Sequence, residues 1–136
     1  MIVDTSALIA VLYEEEHAVE LRRALLSEAA AIPAPAVLEF VRVADRQSLK
    51  LGAIARDLLT ELTANGMAIL PFEQHHVRIA AAANARHGNG MGQGGKLNLL
   101  DLMVYAVAVE REQPLLCTGR DFAASDVTIH PASRAW

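Results

Sequence analysis

The stretch Leu97-Asn98-Leu99-Leu100-Asp101-Leu102-Met103-Val104-Tyr105-Ala106-Val107-Ala108-Val109 is apolar on nearly every side of a helix, yet it carries an aspartate. A helix that is hydrophobic all round is a buried helix. A carboxylate on it must be protonated, paired or bound to a cation, because an unpaired buried ion costs several kcal/mol. Two other stretches repeat the conflict. Asp4 follows Met1-Ile2-Val3 and precedes another apolar run, and Glu39 interrupts Ala36-Val37-Leu38-Glu39-Phe40-Val41. Three isolated acids, each set in core-like sequence, read as parts of one metal site.

At 136 residues the chain is expected to form one domain, residues 1–136, with a real core. Its 53% apolar content fits a packed globule and not a disordered chain. That surplus in so small a domain points to a surface covered in a dimer or by a partner. The longest uninterrupted apolar run, Leu102 to Val109, is far short of a membrane span, and the N-terminus lacks the basic region of a signal peptide. Cys117 stands alone in Leu115-Leu116-Cys117, which argues against a disulfide framework or a cysteine-based zinc site and reads as a buried strand thiol. A soluble cytoplasmic protein is expected. The net charge of −4 argues against a protein that coats nucleic acid, but not against an enzyme acting on one. Metal-binding acids bias the total, while local bases can still hold phosphates.

Met1 to Asp4 reads as a short strand ending at an acid, with Thr5 or Ser6 capping a helix from Ala7 to Leu12. His17 to Ala30 is an amphipathic helix by its apolar spacing. Ile32-Pro33-Ala34-Pro35 is extended, and Pro35 suits the start of a helix that runs from Ala36 to Leu49. Another helix follows Gly52, from Ala53 to Ala64, and Asn65-Gly66 stops it. Met67 to Leu70 is a strand, Glu73 to His87 an alanine-rich helix, and Leu115-Leu116-Cys117 and Val127-Thr128-Ile129 supply the last strands. Strands alternating with helices, joined by connections too long for hairpins, indicate a mainly parallel sheet covered by helices. Sites in such sheets form beyond the carboxyl ends of the strands, where Asp4 and Asp121 fall. Residues 88–95 hold five of the eight glycines but lack the lysine-plus-hydroxyl ending of a phosphate loop, so they read as a mobile loop between helices.

Taken singly, each acid has an ordinary explanation. Asp4 can cap the next helix beside Thr5 and Ser6. Glu39 can lie on an exposed stripe and pair with Arg42 or Arg46. Asp101 has only Asn98, one turn earlier, as a local polar partner. Taken together, three uncompensated buried carboxylates would cost on the order of a whole domain's stability, about 5–15 kcal/mol. A divalent cation resolves the conflict, and all-oxygen ligands select magnesium or manganese. Asp121 or Asp126 can supply a fourth acid. Such a site serves phosphodiester hydrolysis. No rival nucleophile is in view, since there is no Gly-x-Ser-x-Gly elbow and the one cysteine lies in an apolar run. His75-His76 and His17 read as solvent-facing, and His130 has no evident partner. Arg86, His87 and Lys96 flank the glycine run, either as a solvated loop or as phosphate contacts.

Four blocks in order along nearly the whole chain then resemble VapC-type PIN-domain toxins. They are Met-Ile-Val-Asp-Thr-Ser-Ala-Leu at the start, Pro35 to Glu39, Leu97 to Asp101 followed by Tyr105-Ala106, and Pro114 to Val127. The resemblance implies a Rossmann-like α/β fold with a short, mainly parallel sheet flanked by helices. It implies a Mg2+-dependent endoribonuclease of a type II toxin–antitoxin pair, with Mn2+ as the alternative ion. A homodimer and a VapB-type antitoxin that masks the site are implied as partners of the RNA-cutting chain. Carried over, Asp4, Glu39 and Asp101 match the family's three main acids, Asp121 the usual fourth, and Asp126 the acid of a trailing Ser-Asp that assists. Asp4 and Asp101 would bind the metal most directly, with Thr5 or Ser6 bonded to Asp4 or to a metal water. Arg86, Lys96 and Arg120 are the expected phosphate contacts. The chain departs from the family in Leu100-Asp101-Leu102, where Gly-Asp-Cys is frequent, and in a glycine loop poorer in basic residues. Neither departure removes a ligand. Two rival expectations use the same acids: a non-catalytic PIN-like module working in a DNA-binding complex, and a nuclease acting on structured DNA.

Overall fold

In the computed structural model, which describes residues 1–135, the fully buried Ile2–Val3 pair forms β1 inside the sheet. Ala31–Pro33 (β2) pairs with it on one side, and Ala68–Leu70 (β3) lies beyond β2 as an edge. Leu115–Leu116 (β4) pairs with β1 on the other side, so the order is β3-β2-β1-β4 and every pairing is parallel. An interior parallel strand is covered on both faces, which is why Ile-Val here shows no polar alternation. Register places Ile2 against Ala31 and Leu115, and Ile32 against Ile69.

Among the described residues, six helices flank the sheet: α1 (Thr5–Leu12), α2 (Ala18–Ser27), α3 (Ala34–Gln47), α4 (Leu49–Ala64), α5 (Gln74–His87) and α6 (Leu99–Glu110). The core runs through Leu8, Leu21, Ile32, Phe40, Leu62, Val104, Val107, Leu115 and Leu116, all buried. A parallel pair, β5 (Thr118–Gly119) and β6 (Arg134–Ala135), closes the C-terminal side. Among the described residues, no helix is long and apolar enough to cross a membrane.

Several boundaries differ from the sequence expectation for local reasons. Neither Thr5 nor Ser6 caps α1. Asp4 does, its Oδ2 accepting the Ser6 N–H at 2.9 Å, so the helix begins at Thr5. α4 starts at Leu49 and not at Ala53, because Ser48 Oγ accepts the Leu51 N–H and Gly52 is carried inside the first turns. Its end is as expected, with Asn65 as C-cap and Gly66 at φ +102°, a conformation open to glycine. Val127-Thr128-Ile129 does not form a strand. It contributes one bridge, Ile129 to Leu115, beside a β4 of only two residues.

The glycine run is closed at its neck. Leu97 N–H donates to His87 O at 3.0 Å and Asn89 N–H to Leu97 O at 2.9 Å. Gly95 sits so close to the His87 backbone that a Cβ would fall 2.2 Å from it, which excludes any other residue there.

Candidate active site

Asp4 is set at the carboxyl end of β1 by the sheet itself, since its N–H donates to Leu116 O at 2.9 Å. Its carboxylate is 5% exposed. The ordinary explanation of this residue holds: it caps α1, and the capping oxygen also takes the Ser6 hydroxyl at 2.5 Å. Ser6 Oγ in turn accepts the Thr118 N–H at 3.0 Å, which ties the Asp4 carboxylate to the segment that leaves β4. Thr5 faces elsewhere: its hydroxyl donates to Ala36 O at 3.2 Å, fastening α1 to the helix that carries Glu39.

Asp101 lies in the first turn of α6 and is 9% exposed. Asn98 is its partner, in a reciprocal capping box. Asp101 Oδ2 accepts the Asn98 N–H at 2.8 Å, and Asn98 Oδ1 accepts the Leu100 and Asp101 N–H groups at 2.8 and 3.1 Å. The cap accounts for one carboxylate oxygen and not the other.

Burial pushes the Asp101 carboxyl from the ordinary 3.8 up to about 7; the Asn98 N–H opposes this, and the charges of Asp4, Asp121 and Glu39 add to it. Burial likewise raises Asp4, with Ser6 opposing and Glu39 adding. The charges of Asp4 after β1, Glu39 on α3 and Asp121 after β5 therefore converge on Asp101 of α6, and that of Glu39 also on Asp4. Glu39 is half-buried, and among the described residues it forms no ion pair with Arg42 or Arg46. Asp121 is exposed. The Cys117 thiol is pushed up to about 12, by burial first and then by Asp4, so it is an inert core group.

The grouping is open. Among the described residues, no three of these carboxylates bring an oxygen each within 4.8 Å of one another. The trio that does is His75, His76 and Glu110. His76 is buried, contrary to the solvent-facing expectation, and its Nδ1 accepts the Glu73 N–H at 2.9 Å. That bond leaves the ring proton on Nε2, which faces Glu110 at 3.7 Å with no hydrogen-bond partner. A protonated nitrogen has no lone pair for a metal, so His76 cannot ligate without surrendering the helix cap. His130 also finds a partner that the sequence did not disclose: Glu28 Oε2, at 3.0 Å from its Nε2.

Asp126 is placed apart from the four acids. Its Oδ1 accepts the Tyr105 hydroxyl at 2.5 Å, and its Oδ2 pairs with Arg86 at 3.3 Å. Arg86 is thereby occupied, whereas Lys96 and Arg120 are exposed and make no ion pair among the described residues. Beside Glu39 a cleft of about 620 Å³ opens, lined by Pro35, Leu38, Arg42, Phe72, Leu100 and Met103.

A short parallel sheet flanked by helices, with acids gathered past the strand ends, has known counterparts. The pattern of the PIN domain family matches residues 1–127. The chain belongs to the PIN-domain family. Within it, the chain is similar to ribonuclease VapC28 of Mycobacterium tuberculosis, at 37% identity over 93% of this chain and 95% of that one. Its fold is shared by the VapC20 toxin of Mycobacterium tuberculosis, a Sarcin-Ricin loop cleaving toxin, with TM-score 0.71 at 16% identity, covering 93% and 95% of the two chains. VapBC2 of Rickettsia felis, solved bound to a DNA fragment from its promoter, matches with TM-score 0.71 at 11% identity over 95% and 96%. This PIN domain is therefore of the VapC type. Its acids sit where a parallel α/β fold places a site: Asp4 just past the carboxyl end of β1, Glu39 on α3, which follows β2, and Asp101 in the first turn of α6, which packs against both strands.

Proposed function

We propose that the chain is a metal-dependent endoribonuclease, the toxin of a type II toxin–antitoxin pair, which hydrolyses RNA phosphodiester bonds with acid-bound Mg2+. The feature that carries this is the gathering of Asp4, Asp121 and Glu39, from three other segments, around the buried Asp101, whose carboxyl burial raises first and those charges raise further. Burial and neighbouring negative charge raise the Asp4 and Asp101 carboxyls, a burden that a cation relieves, and an all-carboxylate donor set suits Mg2+ or Mn2+ better than zinc. The open spacing fits an ion that keeps several of its waters. The ribonuclease name of the VapC28 relative supports RNA as the substrate.

In this reading Asp4 and Asp101 hold the ion most directly, with Glu39 and Asp121 completing the acidic pocket. The ion, when bound, lowers the pKa of a bound water and shields charge on the phosphate. Everything else is the work of the chain. Ser6 fixes the Asp4 carboxylate through Oδ2, and Asn98 fixes that of Asp101. Thr5 holds α1 to α3 and so sets Asp4 against Glu39. Lys96 and Arg120 supply exposed positive charge for the RNA backbone.

A protein partner follows from the surface. Leu38, 70% exposed, lines the cleft beside Glu39, and Leu99, 75% exposed, lines the neighbouring cavity that shares Phe72 and Met103 with it, so the two mark apolar surface of the kind that partners cover. A VapB-type antitoxin, a second copy in a homodimer and a cytoplasmic site of action belong to the same proposal. The test incubates purified, antitoxin-free protein with transfer RNA, messenger RNA and flap DNA, with and without Mg2+. Mg2+-dependent cleavage of RNA alone, abolished in Asp4→Asn and Asp101→Asn, is expected. Cleavage of flap DNA alone would move the activity to structured DNA. No cleavage of any substrate would leave a binding module, and Asp101→Asn protein that cuts RNA at the wild-type rate would overturn the assignment.

A further inference from the structure

Asp101 and Tyr105 lie one turn apart on the same face of α6, about 6 Å along its axis. Residues 121 to 126 run beside that face. Asp121, at one end, adds its charge to Asp101. Asp126, at the other, accepts the Tyr105 hydroxyl on Oδ1 at 2.5 Å. The Tyr105 ring is 2% exposed, so its hydroxyl is a fixed post. We infer that Tyr105 is a positioning residue whose bond to Asp126 sets the register of residues 120–126 along α6 and so holds Asp121 opposite Asp101. The inference rests on the metal-dependent nuclease proposed above.

The segment between the two aspartates is stiff enough to transmit that register. Ala123 N–H donates to Arg120 O at 3.2 Å, and Ser125 closes on Phe122 O through both N–H and hydroxyl, at 3.0 and 2.8 Å. Phe122 and Val127 are buried on either side. Asp121 itself is exposed and has no side-chain hydrogen bond among the described residues, so the backbone around it must place it. Arg86 steadies the post from α5, pairing with Asp126 Oδ2 at 3.3 Å, while His87 Nε2 lies 3.2 Å from Oδ1 without hydrogen-bond alignment. Both Asp126 oxygens are engaged, Oδ1 by the Tyr105 hydroxyl and Oδ2 by Arg86, so it serves through Asp121 and not as a ligand.

The test measures Mn2+ affinity of the full chain, by the paramagnetic resonance of free Mn2+, alongside RNA cleavage. Tyr105→Phe and Asp126→Ala are each expected to weaken Mn2+ binding about tenfold. Asp126→Asn restores most of it, because its amide carbonyl still accepts from Tyr105. In an Asp121→Asn background, Tyr105→Phe adds no further loss, since both changes act through one group. Folded Tyr105→Phe with wild-type Mn2+ affinity would overturn the inference, as would additive losses in the double variant or Asp126→Asn as damaging as Asp126→Ala. Asp126→Ala, at an exposed position, carries the test should Tyr105→Phe fail to fold. Wild-type protein that binds no Mn2+ and cuts no RNA would overturn the nuclease proposal itself, an outcome distinct from binding that the Tyr105 and Asp126 variants leave unchanged.

Discussion

The Ser6 hydroxyl donates to Oδ2 of Asp4 at 2.5 Å. The same oxygen atom of Ser6 accepts the Thr118 N–H at 3.0 Å, so one side chain both steadies a buried acid and satisfies a backbone donor at the end of the sheet. Ser6→Ala removes both. An unsatisfied Thr118 N–H costs about 1–3 kcal/mol. A loosened Asp4 lowers metal affinity and activity by about 10–100-fold. Urea unfolding and cleavage rates check the two effects separately. A variant as stable as wild type would show that the Thr118 N–H finds another acceptor.

Asp101→Asn is expected to stabilise the metal-free protein above neutral pH while abolishing cleavage. The carboxyl titrates near 3.8 when unfolded and at about 7 when folded. Between those values the folded state keeps a proton that the unfolded state has lost. Stability present at low pH is therefore lost as pH rises through about 7. Asparagine carries no such charge and its carbonyl still accepts the Asn98 N–H. The gain is about 1–3 kcal/mol at pH 8 and close to zero at pH 4. Unfolding curves at the two pH values check it, and equal gains at both would remove the electrostatic explanation.

Asp4 and Asp101 could be picked out of the sequence because each is a charge inside an apolar run, and that mismatch survives without any knowledge of packing. The alternation of helices with short apolar runs disclosed the parallel sheet for the same reason. Asp126 offered no such signal. Its partners Tyr105 and Arg86 lie on α6 and α5, and their meeting depends on how those helices pack. The pairing of His130 with Glu28 is more remote still in sequence. The start of α4 at Leu49 is obscured by Gly52, whose poor helix propensity is outweighed by the Ser48 cap before it. Glu39 stands between these cases: its apolar neighbours marked it, but it is only half-buried.

Mg2+ or Mn2+ is expected to raise the melting temperature, and more at pH 8 than at pH 5, because a proton on Asp101 or Asp4 competes with the ion. At a free concentration one hundred times the dissociation constant the added stability is about 2.7 kcal/mol. Thermal melts with and without the ion, at both pH values, measure it. Asp101→Asn should lose most of the ion-dependent rise. A rise of equal size in that variant would place the ion elsewhere on the surface.

Lys96, Arg120 and Arg86 should separate when RNA binding is measured against salt. Lys96 and Arg120 are exposed and unpaired among the described residues, so their charge is available to phosphates. Each change to alanine is expected to weaken binding and to reduce the dependence of log affinity on log salt by about one unit. Arg86 is already engaged, to Asp126 at 3.3 Å and to the Tyr105 hydroxyl at 3.5 Å. Turning it to a phosphate would break those contacts, and the free energy of one would offset the other. Arg86→Ala should therefore leave the salt dependence unchanged and cost about 0–1 kcal/mol of stability, as befits a pair at the surface. Filter binding with a catalytically dead Asp4→Asn background keeps the RNA intact during the measurement. A full unit of slope lost in Arg86→Ala would place that guanidinium on the RNA instead.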